Sequence, residues 1–125
     1  TKNAFYLKHI STFLFFFLST VFFYKIINLR FNNHLFSILI TFFYISSPRI
    51  FAESFYNGKD IVFMSLIVCS LYYALKSFNK INYKNIILFS IFSAFATNIR
   101  VMGILIFSLF LFFFIFKFFR GKKSF

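Results

Sequence analysis

Apolar residues run almost unbroken along this chain, and polar residues fall in short clusters between the runs. Five apolar stretches can be drawn: Ile10–Leu29 (interrupted by Lys25), Phe31–Pro48, Ile61–Leu75, Asn85–Ile99 and Val101–Phe116. A helix needs about 20 residues to cross a bilayer, within a range of roughly 17–25. The last three stretches are shorter than that between charges. Lys and Arg at their ends reach back to the interface and lengthen them. The pattern therefore predicts five spans. The last two have other readings: one broken helix around Arg100, or a tight hairpin turning at Asn98–Gly103. Runs such as Phe13–Leu18 lack the two-residue alternation of a membrane barrel strand. The expected fold is all-α, a polytopic integral membrane protein of about five transmembrane helices. It forms one partial domain over 1–125, with an outer loop over 47–60.

Composition supports a lipid solvent. The chain is 61% hydrophobic and 13% charged, against about 25% charged residues in soluble domains. Its 27 Phe and absence of Trp fit a coding bias better than a ligand cage. The net charge of +12 raises nucleic acid as a partner, but a nucleic-acid reader gathers its cations on a polar face. Here they punctuate apolar runs, as at the ends of membrane helices. Cys69 is alone, without a disulfide or zinc partner, and reads as a small buried hydrophobe. The chain opens on Thr1, with neither an initiator Met nor a signal-peptide pattern. The expectation is a piece of a longer protein.

Counting cations across five spans gives the orientation. One side takes Lys25, Arg30, Lys76, Lys80, Lys84, Lys117, Arg120, Lys122 and Lys123; the other takes Lys2, Lys8, Arg49, Lys59 and Arg100. The richer side is expected to be cytoplasmic. The 47–60 segment and Arg100 then face outward, to the periplasm or its equivalent.

That outer segment, Ser47–Asp60, holds both acidic residues, the only proline and one of the three glycines. A carboxylate at a membrane is costly, so it is a candidate functional group by default. Asp60 follows the turn signal Asn57-Gly58-Lys59 and precedes the span starting at Ile61. It reads either as a helix N-cap, typically worth about 1 kcal/mol, or as a general base that orients an acceptor hydroxyl or a divalent metal. Glu53 lies four residues after Arg49, the spacing of a helical ion pair; its other reading is a second catalytic carboxylate. Gly58 argues against one continuous helix through Glu53 and Asp60. Arg49, Lys59 and Arg100 sit at outer span ends, where they anchor to headgroups or bind a substrate phosphate. His9 and His34 fall on opposite sides, so they cannot share a metal. Ile50-Phe51 and Phe55-Tyr56 would let the loop lie in the interface as a short amphipathic helix.

The run Ser47-Pro48-Arg49-Ile50-Phe51-Ala52-Glu53-Ser54-Phe55-Tyr56-Asn57-Gly58-Lys59-Asp60-Ile61 resembles the outer loop of bacterial protein-mannosyltransferase-like membrane glycosyltransferases. These are GT-C enzymes, which include Rgt-type transferases. Thr97-Asn98-Ile99-Arg100-Val101-Met102-Gly103 looks like a short outer turn of that branch, and Lys8-His9 is similar to its entry into an early helix. The resemblance implies a GT-C-like membrane module that passes a sugar from a polyprenyl-phosphate donor to an acceptor glycan, lipid or protein. It implies Asp60 as the second acidic position of the outer face and Arg100 as a cation for the donor phosphate. The first acidic position would precede Thr1, so this chain alone is expected to be inactive. The competing expectations are a transporter fragment and a noncatalytic structural membrane subunit.

Overall fold

Asparagine starts three of the helices in the computed structural model, which describes residues 1–121. Helix α1 covers Lys2–Phe31 and closes on Asn32, whose left-handed backbone (φ 49°) returns its N–H to the Asn28 carbonyl. Asn33 then caps α2, His34–Ser46, by accepting from the N–H groups of Leu35 and Phe36. Ser47 is extended and Pro48 opens α3, Pro48–Tyr56. Proline suits a first helical turn, where its missing N–H would have had no partner. Asn57 caps α4, Gly58–Asn79, and Asn82 caps α5, Tyr83–Ile99. Arg100 is extended, a 3₁₀ turn follows over Val101–Gly103, and α6 runs Ile104–Gly121.

Three segments, α1, α4 and Val101–Gly121, are long and apolar enough to cross a membrane. Helices α2 and α3 make a fourth if the pair counts as one broken span, bent by 60° at Ser47. This is fewer than the five spans expected from the sequence. The 13 residues of α2 rise only about 20 Å and the 17 of α5 about 26 Å, against a hydrocarbon core of about 30 Å. Helix α1 errs the other way: its 30 residues rise about 45 Å. The segment expected as a loop is mostly helix, because Pro48 starts a turn and Asn57 ends it. Helix α4 begins at Gly58, three residues ahead of the expected Ile61.

Aromatic contacts fix the helix directions. Helices α1 and α4 run parallel, with Thr12 beside Gly58 at one end and Phe22 against Tyr72 and Tyr73 further along. Helix α2 runs back along α1, with Tyr24 bonded to His34 and Phe16 stacked on Tyr44. Helix α5 runs back along α4, Tyr73 stacking on Phe92. Helices α5 and α6 form a hairpin in which Phe89 stacks on Phe110. Of the three sequence readings of that region, the turn at Asn98–Gly103 is the one observed.

Helix α4 is the hub. Of its apolar stretch 44% is buried, against 11% for Val101–Gly121. Small side chains make the close approach possible: Ser19, Ser37, Ser65, Ser70 and Ser77 are fully buried. A buried hydroxyl in lipid needs a partner, and each finds one on its own helix. Ser65 donates to the Ile61 carbonyl at 2.7 Å and Ser77 to that of Ala74 at 2.8 Å. These serines serve packing. Cys69 is buried among them, as expected.

Candidate functional site

These helix directions gather the start of α1, the α2–α3 bend, the start of α4 and the α5–α6 turn at one end of the bundle. Both acidic side chains are there. The opposite end holds Lys76, Lys80, Lys84, Lys117 and Arg120 near the ends of their helices. Lys122 and Lys123, counted with that side in the sequence, lie outside the described residues.

Asp60 is the third residue of α4 and does not cap it. Asn57 is the cap: its Oδ1 accepts from the Asp60 N–H at 3.4 Å, and its Nδ2 donates to Asp60 Oδ2 at 2.6 Å. The Asn57 side chain thus holds both the backbone N–H and the carboxylate of Asp60. The N-cap reading of Asp60 is corrected by the earlier helix start. This leaves Asp60 Oδ1. The Arg100 guanidinium comes within 2.5 Å of it, forming an ion pair. The approach is off the line of a hydrogen bond, so Oδ1 is buried without a hydrogen-bond donor. Residues 40 apart in sequence meet here.

Arg100 reaches Asp60 because the chain turns within three residues. Its N–H bonds to the Ala96 carbonyl at 3.0 Å, and the Gly103 N–H bonds to the Arg100 carbonyl at 2.9 Å. A Cβ on Gly103 would lie 2.6 Å from the Thr97 nitrogen and 2.8 Å from the Ala96 carbonyl carbon. Backbone cannot move aside as a side-chain tip can, so only glycine fits. At the other junction, a Cβ on Gly58 would meet Thr12 Oγ1 at 3.2 Å, a side-chain contact that can yield.

The remaining candidates form a second group on α3. Arg49 Nε bonds Glu53 Oε1 at 3.2 Å, the spacing foreseen. The Arg49 side chain is 87% exposed, and an exposed helical pair of this kind stabilises by only about 0.3–0.5 kcal/mol. Glu53 and Asp60 lie on different helices, each with its own arginine. Lys59 is exposed at the start of α4. Helix α3 is tied to α1 by His9 Nδ1, which donates to the Phe55 carbonyl, and by Phe13 stacked on Phe55 at 5.7 Å. His34 is at the far end of the molecule, bonded to Tyr24. Among the described residues no three of His, Cys, Asp and Glu come together around a common point.

The site therefore consists of Asp60, Arg100 and Asn57, with Lys59 next to Asp60 in the chain and the Arg49–Glu53 pair on α3 at the same end. Sequence reasoning placed Asp60 and Arg100 on one face but did not foresee their contact. It noted Asn57 only as part of a turn. The signal for Asn57 was present, since Asn three residues ahead of Asp at a helix start is a capping pattern. No protein family, curated protein or solved structure matches this chain.

Proposed function

We propose that this chain belongs to a GT-C-type membrane glycosyltransferase of the bacterial inner membrane, with the Asp60 end facing the periplasm. It passes a sugar from a polyprenyl-phosphate donor to an acceptor hydroxyl at the outer face. Helices α1, α4 and Val101–Gly121, with α2 and α3 as one broken span, would be its passes, and the shorter α5 would return the chain from α4 to α6. The observation that carries the reading is the contact of Asp60 with Arg100. It joins the one carboxylate and the one arginine that the transferase-like segments single out. A guanidinium has five N–H donors in a fixed fork, so Arg100 has donors left for a donor phosphate while it faces Asp60. The first-turn N–H groups of α4 favour an anion in the same place. When the donor phosphate draws Arg100 away from Oδ1, Asp60, held on its other oxygen by Asn57, orients the acceptor hydroxyl and takes its proton. Arg49 and Lys59 attract the anionic donor at the exposed rim, and Glu53 sets the position of Arg49.

A noncatalytic structural subunit is the second reading, favoured by the same ion pair, which latches α4 to the α5–α6 turn. A transporter has less support. Its charged groups gather near the midplane, whereas both carboxylates here are at one end.

Asp60→Asn separates the first two readings. Asparagine keeps the size of the side chain and a bond to Asn57 but accepts no proton. In the membrane enzyme that contains this chain, transfer from a polyprenyl-phosphate sugar should fall by about 10²–10⁴-fold at matched folded protein, the usual contribution of a general base. Transfer near the wild-type rate would leave Asp60 a structural residue.

A further inference from the structure

The end of the bundle away from Asp60 carries a feature that the proposed transfer reaction does not use. Between the last turns of α4 and α6 lies an open groove of about 640 Å³, lined by Leu75, Phe78, Phe113, Phe116, Lys117 and Arg120. A second groove of about 440 Å³ continues past Lys117 on the other flank of α6, along Ile81, Phe114 and Phe118. The walls are hydrocarbon and aromatic, and cations stand where α6 leaves the apolar region. Lys117 is fixed there: its ammonium donates to the Phe78 carbonyl and sits 5.8 Å from the centre of the Phe78 ring. Arg120 is one turn further on, with a planar fork suited to phosphate.

Among the described residues neither cation has a carboxylate partner, because the chain's two acidic side chains, Glu53 and Asp60, are both at the other end. No acidic side chain of the chain is at this end to serve as counter-ion. In a membrane, the molecule that offers an apolar tail at the depth of the phenylalanines and a negative charge at the depth of the arginine is an anionic phospholipid. We infer that the α4–α6 groove binds such a lipid, with an acyl chain along Leu75, Phe78, Phe113 and Phe116 and the phosphate on Arg120 and Lys117. This site is independent of the transferase reading.

The test uses the full chain in detergent, offered phosphatidylglycerol or phosphatidylcholine with identical acyl chains, with retained lipid counted by native mass spectrometry. A juxtamembrane cation favours anionic lipid by about fivefold. Wild type should therefore retain phosphatidylglycerol over phosphatidylcholine by about tenfold or more. Lys117→Gln with Arg120→Gln should bring that ratio close to one. Lys80→Gln with Lys84→Gln removes the same charge from the same end outside the groove and should leave the ratio within about twofold of wild type. All these positions lie near helix ends, and matched helical content by circular dichroism confirms that each variant is folded. Equal retention of the two lipids by wild type overturns the inference. So does an equal loss of preference in both double variants, which would assign it to diffuse surface charge.

Discussion

The two ends of this bundle handle charge in opposite ways. At the Asp60 end, opposite charges pair within the protein: Asp60 with Arg100, Glu53 with Arg49. At the basic end, the cations turn to rings and carbonyls. Lys25 sits 5.3 Å from the Phe22 ring centre and 5.8 Å from that of Tyr72, which Lys76 also approaches, at 5.7 Å. Lys117 uses the Phe78 ring and carbonyl. The first end pairs two of its arginines with carboxylates of the chain, and the described cations of the second have no such partner. An anion that uses Arg49 or Arg100 must break or share an existing pair. On the inference drawn above, the basic end would take anionic lipid directly.

The comparison is broken most completely by sidedness. Tyr56 and Tyr83 mark the two ends, and each is 83% exposed. Single cysteines at these positions, in a Cys69→Ala background, should label in an all-or-none manner with an impermeant thiol reagent. Position 56 should react in intact cells and position 83 only after permeabilisation. The reverse pattern would invert the orientation and put the Asp60 end in the cytoplasm.

A smaller effect sharpens the account of how the Asp60 end is built. Gly103→Ala forces a methyl group to within 2.6 Å of backbone and should cost about 1–3 kcal/mol, the usual penalty for overpacking. Gly58→Ala meets only side chains, Thr12 at 3.2 Å and Lys8 at 3.5 Å. Alanine is also the better helix former, by roughly 0.8–1.0 kcal/mol in a helix interior, so the change should be close to neutral. Thermal unfolding in one detergent compares the two. Equal losses would mean that the Arg100 turn is not the tighter junction.

Much of this architecture is legible in the residue pattern. The long apolar runs become α1, α4 and α6, and Arg49 with Glu53 at helical spacing forms the expected pair. Phe51 and Phe55 make α3 the short amphipathic helix that the outer segment allowed. Helix boundaries were harder to read. Counting from charges placed the start of α4 at Ile61, whereas the Asn57 cap admits Gly58, Lys59 and Asp60 to the first turn. The same counting by hydropathy gave five spans where α2 and α5 fall short in length. The Asp60–Arg100 contact depends on antiparallel packing of α4 and α5 and on the turn at Gly103. Nothing local to either residue encodes it, and pairing over 40 positions is a property of the fold.

The central claim is that Asp60 and Arg100 act in chemistry and do not merely latch two helices. The direct test exchanges them, Asp60→Arg with Arg100→Asp, alongside each single change, in the membrane enzyme that contains this chain. Unfolding temperature and transfer from a polyprenyl-phosphate sugar are measured on the same preparations. A latch needs only opposite charges, whereas the proposed site needs the carboxylate on α4 and the guanidinium at the turn. Stability should be lost in each single variant and largely restored in the exchange, while transfer stays abolished in all three. Transfer that returns together with stability would contradict the account and make the pair a structural clasp.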